Sequence, residues 1–138
     1  MMRKPVLGLE TADYQMNLLY WRFSTLSEEA QDKLLLSTIL HARNAARRLG
    51  AMIEAWRAGD AAAMAALVAE RSGDPQSQLY FDEVFNKRNL RIAQQIEVYL
   101  STPYRYFVVV GAGHLVGDRG ILTLLQEDGD HVEQLSGV

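Results

Sequence analysis

Five consecutive β-branched or aromatic residues, Tyr106-Phe107-Val108-Val109-Val110, leave this chain few folds to choose from. A run that is apolar on both faces reads as an interior parallel strand, covered above and below. Gly111-Ala112-Gly113-His114 breaks the run, and the stretch from about Asp118 to Asp128 then carries Ile121, Leu122, Leu124 and Leu125. Gly129 ends that helix, and His131-Val132-Glu133-Gln134-Leu135 alternates like a half-exposed strand. Strand, short helix, strand predicts a right-handed βαβ unit over about 104–136, its two strands parallel. Near the other terminus Pro5-Val6-Leu7-Gly8-Leu9 is short, apolar and bounded by Glu10-Thr11, which reads as a further buried strand. The expected fold is one α/β domain over 1–138, with a small, mainly parallel sheet (strands near 5–10, 105–111 and 131–135) and a large helical insertion from about 11 to 101.

Within the insertion, Thr11 is positioned to cap a helix reaching about Trp21. Ser27 can cap the next, with Glu28 and Glu29 in the first turn where the helix dipole favours negative charge. Leu35, Ile39, Ala42, Ala46 and Leu49 recur at heptad-like spacing, and Gly50 is the expected stop. A segment from Ala51 to Ala58 ends at Gly59, and Asp60 caps an alanine-rich helix to Arg71, followed by Ser72-Gly73-Asp74-Pro75. A helix or broken helix from about Gln76 to Leu100 places Leu90, Ala93, Ile96 and Leu100 on one face. Tyr80, Phe81 and Phe85 read as core aromatics, and His41 and His131 as surface or boundary residues.

Composition narrows the functional classes. The chain has 14 basic and 17 acidic residues and a net charge of -3, which gives no electrostatic footprint for nucleic acid. Cysteine is absent, so disulfides, thiolate metal sites and cysteine nucleophiles are excluded. No run approaches the roughly 20 apolar residues of a membrane span, and no signal peptide opens the sequence. The expected location of the chain as written is the cytoplasm. No Ser-His-Asp elbow, HExxH or phosphate loop occurs.

In open α/β sheets the ligand crevice lies beyond the carboxyl ends of the strands, and that rule selects Glu10 and His114. A carboxylate and an imidazole at one rim could bind a divalent cation or act as acid and base. Gly111 and Gly113 would let a ligand approach the backbone closely. Arg88, within Asn86-Lys87-Arg88-Asn89, could pair with Glu10 or hold a substrate carboxylate. The plainer alternatives stay open: a glutamate capping the next helix, a histidine bonded within its own turn, and a solvated helix face at 86–89.

The stretch from Tyr106 to Leu135 resembles the carboxyl-terminal signature of the TraB/GumN family, which includes the Tiki proteins: a buried strand, a Gly-x-x-His motif, a glycine-containing helix and a VEQL-type strand. Leu7-Gly8-Leu9-Glu10-Thr11 resembles the family's strand-end glutamate, Gln15 its downstream glutamine, and Arg88-Asn89 its RN pair. The resemblance implies a fold similar to erythromycin-esterase and ChaN-like proteins, and a divalent-metal-dependent protease or hydrolase. It implies Glu10 and His114 as catalytic residues and metal ligands, with Arg88 and Asn89 positioning or stabilising substrate. Manganese, cobalt or zinc is the implied ion, and a peptide or other small molecule the substrate.

The family's first Gly-x-x-His normally precedes the glutamate strand, and the nine residues before Glu10 contain none. The expectation is therefore a chain resembling the carboxyl-terminal half of a family member, binding metal weakly and hydrolysing little or nothing alone. A short sheet with an exposed apolar edge would also favour a homodimer. The competing expectation is a non-catalytic module whose helical insertion presents an interaction or dimerisation face.

Overall fold

In the computed structural model, helix dominates the described residues, which are 4–70, 78–79 and 81–135. Helix α1 spans Ala12–Ser24, α2 Glu28–Ala42, α3 Ala45–Ala58 and α4 Ala61–Ala69. A π-helical turn at Asp82–Asn86 leads into α5, Lys87–Leu100. A single 3-10 turn, Ala112–His114, precedes the last helix, α6, at Ile121–Glu127.

Local chemistry explains most of the helix ends. The Thr11 hydroxyl accepts from the Tyr14 amide at 3.1 Å, and the Ser27 hydroxyl from the Ala30 amide at 3.3 Å. Each satisfies an amide that the first turn leaves without a partner. Gly59 turns left-handed at φ 65°, and the Asp60 amide reaches back to the Ala55 carbonyl at 2.9 Å. Asp60 then reverses role and caps α4, accepting from the Ala63 amide at 2.8 Å. The far end of α4 is closed by α3, because the Arg48 guanidinium donates to the carbonyls of Leu67 at 2.9 Å and Glu70 at 3.0 Å. A cation there also suits the negative pole of the helix. The long helix expected from Ser27 to Leu49 divides instead: Asn44, at φ -105° and ψ 0°, separates α2 from α3, and Gly50 lies inside α3.

The main core lies between α5 and α6. Ile92 and Ala93 from α5 meet Ile121, Leu124 and Leu125 from α6. Leu9, Ile96, Val110 and Val132 pack around that cluster. Three distant stretches of chain, ending in Leu9, Val110 and Val132, are thereby gathered on one pair of helices. Gln134 ties the last stretch to the α3–α4 turn by donating to the Gly59 carbonyl at 2.8 Å.

The expected α/β fold is not what forms. No strand or sheet occurs among the described residues, and the segments near 5–10, 105–111 and 131–135 run without ladder bonds. Helix α6 therefore joins two unpaired segments rather than completing a βαβ unit, and the described residues have no sheet edge for a dimer to cover. The reason is partnership. Val6 is 96% and Phe107 94% exposed, so one side of each apolar run is left uncovered among the described residues. An apolar, β-branched run encodes a taste for extended backbone and burial, while a ladder needs a second strand at hydrogen-bonding distance. The segment 72–75, the end of the alanine-rich helix at Arg71 and Tyr80 lie outside the described residues, as does the side chain of His41.

Candidate functional site

Glu10 ends the first extended segment, immediately before the Thr11 cap that starts α1. Its carboxylate meets Arg88 in the first turn of α5, 78 residues away in sequence. Arg88 Nε donates to both Glu10 oxygens at 3.1 Å, and its terminal Nη2 to Oε2 at 2.8 Å. Gln15 Nε2 adds a fourth bond to Oε2 at 3.1 Å. The Glu10 side chain is 5% exposed and that of Arg88 21%. Burial pushes the carboxyl up, but the hydrogen bonds from Arg88 and Gln15 and the Arg88 charge more than offset it, so Glu10 sits below the usual carboxylate value and is ionised.

The neighbouring residue on α5 faces the other partner. Asn89 is 1% exposed; its amide Nδ2 donates to the Arg119 carbonyl at 2.7 Å, which turns Oδ1 toward His114 Nδ1 at 2.6 Å. An amide oxygen only accepts, so the proton of neutral His114 rests on Nδ1, and the Nε2 lone pair is open among the described residues. Phe85 stacks on the imidazole with centroids 4.1 Å apart and 11° between planes, and Phe81 stacks on Phe85 at 4.6 Å. Burial holds His114 below the usual imidazole value and the Arg88 charge pushes it further down, with the Glu10 charge opposing. At neutral pH the ring is uncharged.

Gly111 lies beside this ring, and Gly113 beside Val68 and Phe85. A Cβ on Gly111 would lie 3.6 Å from the His114 ring, and one on Gly113 3.3 Å from Val68. The structure thus brings Glu10, Arg88, Asn89 and His114 into one neighbourhood, whereas His131 lies exposed elsewhere. Asn89, expected beside substrate, contacts His114. Three participants escaped the sequence reading: Phe85, the Arg119 carbonyl and Gly120. Phe85 gave a signal only as a core aromatic. Gly120 follows Arg119, and a Cβ there would lie 2.5 Å from the Val116 carbonyl oxygen, so the turn closes on the backbone itself.

Among the described residues the donor set is too small to hold a metal ion tightly. Both Glu10 oxygens are engaged by Arg88, one imidazole nitrogen is open, and no group of three His, Cys, Asp or Glu side chains gathers among the described residues. Zinc takes three or four protein ligands. The arrangement offers a neutral base of fixed tautomer beside an ionised, arginine-bound carboxylate. No helix among the described residues is long and apolar enough to cross a membrane.

A metalloprotease TIKI homolog from Amphimedon queenslandica is 32% identical over 74 residues, covering 51% of this chain and 14% of that protein. The chain therefore spans a small part of that relative's length. No solved structure matches the chain significantly. The family model for TraB/PrgY/gumN matches residues 1–134, nearly the whole sequence, and the chain belongs to that family.

Proposed function

We propose that this chain contributes the carboxylate–imidazole part of a hydrolase site for peptides or other small substrates, and that these residues alone turn over slowly or not at all. The observation that carries the reading is the Asn89 contact, which leaves His114 Nε2 as a fixed, neutral proton acceptor beside Glu10 and Arg88. In this role His114 takes a proton from an attacking water at Nε2. The Arg88 guanidinium, held in place by Glu10, orients a substrate carbonyl or carboxylate through its outward edge. Glu10 acts on Arg88 and on the charge balance of the imidazole rather than on substrate. A divalent ion (manganese, cobalt or zinc) would find only weak purchase on His114 and Glu10, and any remaining ligands would come from outside these residues.

Calorimetric titration with each ion, on the chain and on His114→Ala, tests this. Weak binding that disappears in the variant supports the reading. No heat in either protein overturns it and favours a non-catalytic interaction module, a second reading supported by the exposed apolar face of α2.

A further inference from the structure

Helix α2 is apolar on two sides, and only one of them has a neighbour among the described residues. Ala30 is 7% exposed, and Leu34 and Ser37, on the same side of the helix, are half-buried. On the opposite side Leu35, Leu36, Ile39 and Leu40 are each between 52% and 59% exposed. At about 100° per residue these four fall within a single arc of about 140°. The acidic residues Glu28, Glu29 and Asp32 share that arc at its amino end. Arg43, the residue after the helix, continues it at the carboxyl end. Among the described residues neither Asp32 nor Arg43 has an ion-pair partner.

We infer that this face binds a second copy of the chain, α2 against α2, antiparallel about a two-fold axis between Ser37 and Thr38. The charge pattern selects that occupant. A stripe that is acidic at one end, apolar in the middle and basic at the other is its own complement when reversed. With the axis there, Leu36 meets the partner's Ile39, Leu35 meets the partner's Leu40, and Asp32 meets the partner's Arg43. Antiparallel pairing also sets opposite helix poles side by side. A helix of 15 residues is about 22 Å long, so this contact is smaller than the roughly 800 Å² per partner of a standard interface. The dimer is accordingly weak and concentration-dependent. The surface lies outside the Glu10–His114 neighbourhood and does not depend on any catalytic role there.

Sedimentation equilibrium on the intact chain is the test. The expected mass rises from 15.5 kDa at low micromolar concentration toward about twice that value near millimolar. Leu36→Asp holds the mass at the monomer value, with the far-UV circular dichroism unchanged because the side chain is exposed. Asp32→Arg or Arg43→Asp alone weakens association about tenfold, and the two together restore it. Three results would overturn the proposal: a monomer at every concentration, leaving the face to some other polypeptide segment; a dimer indifferent to Leu36→Asp; or a double reversal no better than the single ones.

Discussion

The α5–α6 body and the α1–α2 arm use similar side chains to different ends. Around α5 and α6 the aliphatic residues close on one another, and the extended stretches at 9, 110 and 132 seal the cluster. In the arm, Met16, Leu19, Tyr20 and Trp21 on α1 face solvent, as do four aliphatic residues of α2, and Ala30 is the arm's buried side chain among the described residues. Among the described residues one region completes its core and the other does not. The candidate site sits on the completed region, anchored by adjacent α5 residues Arg88 and Asn89. A base whose tautomer must stay fixed needs a rigid support; a recognition surface needs an exposed one.

Ile121→Ala should give the largest loss. The residue is 1% exposed between the two helices, and truncation is expected to cost about 3–4 kcal/mol in a denaturant titration. A loss below about 1 kcal/mol would mean that the body is as loosely packed as the arm. Gly120→Ala follows. Its Cβ would press on the carbonyl of Val116, so the turn must open at about 2–3 kcal/mol and release the Arg119 carbonyl from Asn89. The His114 ring resonances should broaden or split in that variant.

Glu10→Gln comes next, at about 2 kcal/mol, less than the roughly 3–5 kcal/mol of a fully buried pair because Arg88 keeps some solvent. Its pH dependence sharpens the comparison. Glu10 is lowered in the fold, so its contribution is present above the unfolded value of 4.5 and is lost as pH falls through its folded value. His114 is also lowered, so the unfolded chain takes up a proton first and stability begins to fall below about pH 6.5. Glu10→Gln should erase the lower window, keep the upper one and push His114 further down, measurable by imidazole NMR titration. An unchanged midpoint would show that the Glu10 charge does not reach the ring. Leu36→Ala closes the series: a change in monomer stability within about 0.5 kcal/mol, since the side chain has little to lose. A cost comparable with Ile121→Ala would place α2 inside a core.

Local signals were legible in the sequence, and long-range partnership was legible only in part. Thr11, Ser27, Gly59 and Asp60 act as the punctuation their chemistry suggests, because a cap is settled within about four residues. The contact of Arg88 with Glu10 could be named in advance, since opposite charges in an apolar setting have few other outlets. The sheet could not be tested this way. Val108 and Val109 state a preference for extended backbone, and nothing in them says whether a neighbouring strand is present. The contacts of Asn89 stayed hidden for a related reason: a single letter does not reveal that the Arg119 carbonyl turns its amide and that its oxygen faces His114. The break at Asn44 stayed hidden because heptad spacing survives a kink when only every third or fourth residue is inspected.

The widened turn at Asp82–Asn86 has a consequence for how this helix can change over time. One residue more than a regular helix needs is absorbed there, and that surplus sets the angle at which Phe85 reaches the imidazole while Arg88 and Asn89 keep their places. Shortening the turn by one position would leave a good helix and swing the aromatic pair about 100° around its axis, away from the ring. Loss of the upfield ring-current shift on the His114 protons would report it. Insertions and deletions that most surface helices absorb would here uncouple the aromatic cover from the imidazole it stacks on.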